Sequence, residues 1–445
     1  MKILIVSGYF PPNAPASASR VNKLSKYLED NGHEVRVLAP GYEKFEQTLV
    51  PEISEDKIHF VDFVDINSIP EKVKSFLKSL WPKTKNISSQ GNKKEILPQN
   101  PSPYKESAIS KLYRRLTNVP DNLIGWYPSA VRAGREMFQH WSPDIIFCTV
   151  PPFTPLLVAS RLARIIDVPW VADYRDLWSD HAYYSETGPR RAVDRFLEGH
   201  ALKNCSGLIT VTNTWAEHLK KCRSKPVQFA MNGFDPHDFE VLEDGDFDPE
   251  KITLIYAGLL YGRKRDPSAL FEALGRLGKA AENYKILFFT PNGREDLDDI
   301  QTEIIEKYNL DNIIEFSPYI LQKELLKIQK TVDLLMLLRW DDPKEDGVIA
   351  GKLFEYIGCG KPILSIGSTT GEAADIIRDN DFGFLSNDPD EIAGYLRDAY
   401  DQKMTAKGKN LDNPNREKFK RSIQFKKIED FMAKLVQEKN DIISK

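Results

Sequence analysis

Residues 1–40, MKILIVSGYFPPNAPASASRVNKLSKYLEDNGHEVRVLAP, decide the fold class. Lys2–Ser7 is a short apolar run of the kind that forms a buried parallel strand. A proline-rich loop follows over residues 9–15. Val21, Leu24, Tyr27 and Leu28 then recur on one helical face, with Ser17 or Ser19 as the N-cap. Asn31-Gly32 ends that helix, and residues 34–39 read as the next strand. Strand, loop, helix and strand in such quick succession open a doubly wound α/β sheet.

The same alternation continues outward. Strands are expected at 144–149 (DIIFCT), 169–173 (PWVAD) and 207–212 (GLITVT), with helices over 155–166 and 191–203 between them. After the acidic, turn-rich stretch 235–250 (DPHDFEVLEDGDFDPE) a second series starts. Its strands are expected at 252–257, 285–290, 313–316, 334–338 and 362–366. Two Rossmann-like domains are expected, 1–234 and 235–416, hinged near residue 235. The segment 417–445 reads as a C-terminal helix, with Phe419, Ile423, Phe431 and Leu435 apolar, crossing back to the first domain.

Composition narrows the function classes. The 445 residues are 41% hydrophobic and 28% charged, as in a globular chain with large cores. The formal charge is −4, which argues against a general nucleic-acid binder. Cys148, Cys205, Cys222 and Cys359 lie far apart with no CxxC pair, so neither a disulfide framework nor a zinc site is readable. No apolar window reaches the length of a signal peptide core or a spanning helix. A cytoplasmic or membrane-surface location is therefore expected.

One region breaks the rhythm. Residues 67–119 carry eleven Lys or Arg against three Glu, leaving +8 there and −12 for the rest of the chain. Within it Val73, Phe76, Leu77, Leu80 and Trp81 share one helical face, while Lys72, Lys74 and Lys78 take other positions. This basic insertion reads either as a membrane-interface helix that meets an anionic surface, or as a core-facing helix beside a solvated loop.

The segment richest in chemistry is residues 345–367, EDGVIAGKLFEYIGCGKPILSIG. Residues 347–351 form a small-residue turn opening a helix, with Lys352 in its first turn. Exposed amides and the helix dipole there suit a diphosphate. Glu355, one turn on, is placed for ribose hydroxyls. Gly358 to Pro362 stop the helix and feed the next strand. A plain glycine-punctuated helix-to-strand connection has the same spacing. The second cationic cluster, YAGLLYGRKR (256–265), follows the first strand of the second half. Strand carboxyl ends are where open α/β sheets bind ligands, so these cations are suited to a leaving diphosphate. A solvated basic loop reads the same way. The pairs Asp341-Asp342 and Asp244-Gly245-Asp246 resemble metal-binding acidic pairs only superficially. His33 suits a turn, and His181, His200 and His218 lack ligand spacing, so no metal is expected.

The segment 345–364 resembles the donor-binding segment of the family 4 retaining glycosyltransferases, and residues 1–40 resemble that family's first βαβ unit. DYRDLW (173–178), NGFD (232–235) and YAGLLYGRKR are similar as well. This resemblance implies the GT-B fold, two Rossmann-like doubly wound domains facing each other across a cleft. It also implies a nucleotide-diphosphate sugar donor on the second domain and a glycan or lipid-linked acceptor on the first, with no metal or other cofactor. Carried over by residue, Glu355 holds the ribose. Val348, Ile349, Ala350, Gly351 and Lys352 present amides to the diphosphate, beside Gly258. Arg263 with Lys264 or Arg265 forms the basic pair on the phosphates. Gly8 and the loop through Ser19 face the donor, and Asn292, within 291–293, and residues 319–320 lie toward the base. Asp173, Arg175 and Asp176 either orient an acceptor hydroxyl or sugar, or form a buried ion-pair network.

Two departures stand out. Gly347 occupies the position of the family's first paired glutamate, with Glu345 or Asp346 as substitutes. The first loop is rich in Ala and Ser (Ala14, Ala16, Ser17, Ala18) where the family has glycines, which permits close approach without glycine's positive-φ freedom. The implied activity is sugar transfer to a hydroxyl with retention, in cell-surface polysaccharide or glycoconjugate synthesis. A non-catalytic sugar-nucleotide or glycan-binding subunit, or an epimerase or phosphorylase of the same fold, is the alternative. An oxidoreductase is disfavoured, because SGYFPP stands where GxGxxG would be.

Overall fold

The computed structural model describes residues 1–12, 18–41, 49–70, 108–181, 184, 188–240, 247–405 and 413–444. The expected helical face from Val73 to Trp81, and with it most of the basic insertion, lies outside these. By internal compactness the chain divides into two units. Met1–Ser25, Gly32–Ala172 and Glu186–Cys205 form one, and Lys26–Asn31, Asp173–Ser185 and Ser206–Lys445 the other.

The strands form two parallel sheets. The first contains β1 (Lys2–Ser7), β2 (Glu34–Pro40), β3 (Ile58–Val61), β4 (Ile145–Val150), β5 (Trp170–Tyr174), β6 (Gly207–Thr210) and β7 (Val227–Phe229). Its order is β3-β2-β1-β4-β5-β6-β7. The second contains β8 (Ile252–Ala257), β9 (Tyr284–Phe289), β10 (Ile314–Ser317), β11 (Leu334–Leu338), β12 (Ile363–Ile366) and β13 (Gly383–Leu385). Its order is β10-β9-β8-β11-β12-β13. Both orders reverse direction once, which is the doubly wound arrangement, with a ligand crevice expected beyond the carboxyl ends where the reversal falls. In the second sheet that is between β8 and β11.

The apolar runs explain why these segments are strands. Ile3, Leu4, Ile5 and Val6 are fully buried, as is suited to a central strand covered on both faces. In the second sheet successive residues alternate between two cores. Leu254, Tyr256, Ile286, Phe288 and Met336 join one cluster, and Ile255, Leu287, Leu335 and Leu337 the other. Phe288 stacks on Phe316 with centroids 5.1 Å apart. The central strands lie within one residue of their expected positions, apart from β6, which ends two residues early. The edge strands β3, β7 and β13 are additions to the expected set, while the fourth edge strand, β10, lies where expected; IHFV, VQF and GFL are short runs that lack a continuous apolar pattern.

The last helix, Arg421–Ile443, packs on the end of the first sheet. Gly207 is bare because a side chain there would meet the Phe431 ring at 2.5 Å. Tyr27 donates its hydroxyl to Glu429 at 3.0 Å. Among the described residues, no helix is long and apolar enough to cross a membrane.

Candidate active site

The carboxyl end of β8 is stitched to the start of the helix Gly351–Cys359. Lys352 donates to the Ala257 carbonyl at 2.9 Å and its ammonium lies 4.4 Å from the centroid of the Tyr256 ring. Gly258 has φ +150°, and a Cβ there would sit 2.4 Å from Lys352 Nζ, so the lysine uses the space that glycine leaves. Tyr256, buried in the core, donates to the Leu259 carbonyl at 2.8 Å, fixing the turn. Burial and then the Arg265 charge push the Lys352 ammonium down to about 7, opposed by Glu355.

That helix is open at its start and capped at its end. Ala350 is extended and contributes no side-chain cap, and of the first-turn amides that of Leu353 donates to the Ala350 carbonyl at 3.0 Å. Of the expected amides, that of Val348 donates to the Glu345 carbonyl at 2.8 Å. Ile349 turns its side chain into the core. At the other end Gly360 takes the left-handed conformation, and Arg416 donates to the Ile357 carbonyl at 2.7 Å. A cation there matches the helix dipole. Glu355 is half-buried one turn beyond Lys352. Burial raises its carboxyl, opposed by Arg421 and Lys352, and Gln322 lies 3.5 Å from it.

The basic cluster divides. Lys264 and Arg265 line a cleft of about 330 Å³ with Tyr261, Glu345 and Val348. Lys264 lies 4.5 Å from the Trp340 ring centroid, and Arg265 5.2 Å from that of Tyr261. Arg263 instead points along the surface, 3.5 Å from Asp298 and 3.9 Å from Asp266. Asn292, in the loop after β9, is exposed and donates to Asp296 at 2.7 Å through its side chain.

Gly347, the departure noted above, has a steric reason. A Cβ there would meet Trp215 Nε1 at 2.6 Å, so a glutamate does not fit while Trp215 keeps its place. Glu345 is buried nearby. Asp346 Oδ1 is buried with no hydrogen-bond partner among the described residues, and faces the backbone of Gly371. His181 stacks edge-on against Trp215 at 6.1 Å and lies 3.8 Å from Asp176. Burial lowers the His181 imidazole, opposed by the charges of Asp176 and Glu345. Burial likewise raises the Asp176 carboxyl. Asp173, at the end of β5, is fully buried. In the first unit, Gly8 is bare because Pro152 Cγ would lie 2.2 Å from a Cβ, and Ser19 begins the helix Ser19–Asp30.

Two residues escaped sequence reading. His181 has no ligand spacing in the sequence, and only the fold brings it to Asp176, Trp215 and the charge of Glu345. Arg339 had a signal, a charge directly after the apolar strand LLMLL at a carboxyl end. It is buried, donates to the Ser368 carbonyl at 2.7 Å, and its Nη2 has no hydrogen-bond partner among the described residues. With Arg263, Lys264 and Trp340 it lines a second cleft of about 390 Å³.

Residues 98–232 match the family model described as "Glycosyl transferase 4-like domain". None of the curated proteins matches the chain in sequence. Solved structures share the fold at low identity. A sucrose-phosphate synthase from Thermosynechococcus elongatus is 13% identical with a TM-score of 0.63, over 98% of this chain and 100% of that one. A glycosyltransferase from Rickettsia africae is also 13% identical, with a TM-score of 0.59 and 98% of both chains covered. Anabaena HepE, solved with UDP and glucose, is 14% identical with a TM-score of 0.58, over 98% of this chain and 100% of that one. Residues 98–232 thus match a glycosyl transferase 4-like domain, and the chain shares the two-sheet α/β GT-B fold of these solved structures.

Proposed function

We propose that the protein transfers a sugar, with retention, from a nucleotide-diphosphate sugar to a hydroxyl of a glycan or lipid-linked acceptor, in cell-surface polysaccharide or glycoconjugate synthesis. The observation that carries this is the grouping at the β8–β11 reversal. Lys264 and Arg265 line the cleft with Val348, just before the helix Gly351–Cys359 that carries Lys352 in its first turn and Glu355 one turn further along. Cations and amides hold the diphosphate and stabilise the charge it gains as the glycosidic bond breaks. The carboxylate holds the ribose. No metal or cofactor is required in this scheme, since the leaving charge is met by side chains. HepE has been solved with UDP-glucose, so uridine donors head the screen. The test is release of nucleotide diphosphate from a donor panel, with and without acceptor alcohols. Donor binding without release from any donor would instead support a non-catalytic sugar-nucleotide-binding subunit, the reading that Gly347 favours.

Lys352 makes a pH prediction. With its ammonium near 7 in the free protein, much of it is neutral above that pH, and a bound diphosphate draws the proton back. Binding of a nucleoside diphosphate at pH 8 is expected to take up close to one proton. Calorimetry in buffers of differing ionisation enthalpy measures this. Affinity is expected to fall as pH rises from about 7 to 9, by up to roughly tenfold per unit. Lys352→Met abolishes both effects, and a buffer-independent enthalpy in the native protein would refute the assignment.

We also propose a working place on the cytoplasmic face of a membrane. Within the basic insertion the helix Ala108–Thr117 leaves Leu112 and Leu116 58% and 69% exposed, among Lys111, Arg114 and Arg115. Each such cation is worth about 1 kcal/mol at an anionic surface. Flotation with anionic vesicles is expected to be salt-sensitive and to fall several-fold in Leu112→Glu/Leu116→Glu. Equal recovery with neutral and anionic vesicles counts against it.

A further inference from the structure

Among the described residues, one group of three metal-ligating side chains comes together, none of them lining the basic cleft. Asp180, His218 and Cys222 each offer one ligand atom, and these atoms all lie within 4.8 Å of one another. His218 and Cys222 are four residues apart on the helix Asn213–Cys222, hence on one face. Asp180 reaches them from the segment after β5. The imidazole sits between the other two, with Nε2 3.4 Å from Asp180 Oδ2 and Nδ1 3.9 Å from Cys222 Sγ.

We propose that Asp180, His218 and Cys222 bind a zinc ion, with water as the fourth ligand. The donor set decides the metal class. One imidazole, one thiolate and one carboxylate suit tetrahedral Zn²⁺, whereas Mg²⁺ and Ca²⁺ require oxygen ligands. Metal–ligand bonds of about 2.0–2.3 Å place tetrahedral ligand atoms about 3.3–3.8 Å apart. The Asp180–His218 separation already meets this. Cys222 is exposed, so rotation of its side chain closes the rest. Arg223 lies 3.8 Å from Asp180 Oδ2, and a bound cation would turn it toward solvent. The metal would tie the segment carrying Asp176 and His181 to the helix that carries Trp215, the residue against Gly347.

The site is independent of the donor reading and is tested without turnover. Full-length protein stripped of metal is titrated with Zn²⁺ against a chromophoric chelator, and with Co²⁺ followed by absorbance. The native chain is expected to bind one Zn²⁺ that His218→Ala/Cys222→Ser binds at least about 100-fold more weakly. Co²⁺ is expected to show the strong visible bands of a tetrahedral site and a thiolate charge-transfer band, both absent from the variant. Zn²⁺ should raise Tm in the native protein alone. Both substituted side chains are at the surface, and an unchanged circular dichroism spectrum confirms that the variant folds. Equal Zn²⁺ affinity and stoichiometry in the two proteins, or Co²⁺ spectra without a thiolate band, would overturn the proposal.

Discussion

Glu355→Ala is expected to weaken binding of a nucleotide-diphosphate sugar at least tenfold, and nearer a hundredfold if both ribose hydroxyls are lost. Charge-assisted hydrogen bonds contribute roughly 1.5–3 kcal/mol each, and every 1.4 kcal/mol is about tenfold in affinity. The side chain lies one turn beyond Lys352, on the helix whose start is proposed to hold the phosphates. Burial raises its carboxyl, so in the free protein ionisation of Glu355 opposes folding. For an acid raised in the folded state, the native chain binds the proton more tightly. Stability is therefore favoured at low pH and falls as pH rises through the folded value. Glu355→Gln should then be at least as stable as the native chain at pH 7, with no gain near pH 4. Calorimetric titration with donor and thermal melts at both pH values check this. A stable variant with native donor affinity would show that Glu355 does not contact the donor.

Lys264→Ala/Arg265→Ala is expected to lower kcat by at least about a hundredfold, while KM for the donor rises much less. The diphosphate gains negative charge as the glycosidic bond breaks, so cations beside it act more on the transition state than on the bound donor. Removing a single preorganised donor of this kind commonly costs about 10²–10³ in kcat. Arg263→Ala is expected to cost less than either, because its guanidinium is drawn to Asp266 and Asp298 and is well exposed. Steady-state kinetics on the three single variants and the double variant separate these outcomes. A rise in KM at constant kcat would mean that the cations bind ground and transition states alike. A dominant effect of Arg263 would return the leading phosphate role to that residue.

The two sheets were legible because a strand buried on both faces must be apolar throughout. ILIV, IIFCTV and LLMLL carry that mark without any tertiary information. The glycines at 258 and 360 were legible for a related reason, since both take backbone conformations with positive φ. The edge strands β3, β7 and β13 were not. GFL at β13 and VQF at β7 become strands only because a neighbouring strand offers unpaired amides and carbonyls.

The candidate site divides in the same way. Local sequence was enough to place Lys352 and Glu355 on successive turns of one helix, because 3.6-residue periodicity is a local property. The cationic loop after β8 was equally plain, since a charge run at a strand end is read from neighbouring residues. What only the tertiary structure decided is which cation faces which partner. Arg263, Lys264 and Arg265 are consecutive in the chain, yet one pairs with surface carboxylates and two line the cleft. The lowered Lys352 ammonium also depends on burial beneath Tyr256 and Gly258, about ninety residues away. So does the glycine at 347, which is explained by Trp215 in a distant helix. Side-chain direction and desolvation are set by atoms that the fold brings from far along the chain, and no local pattern encodes them.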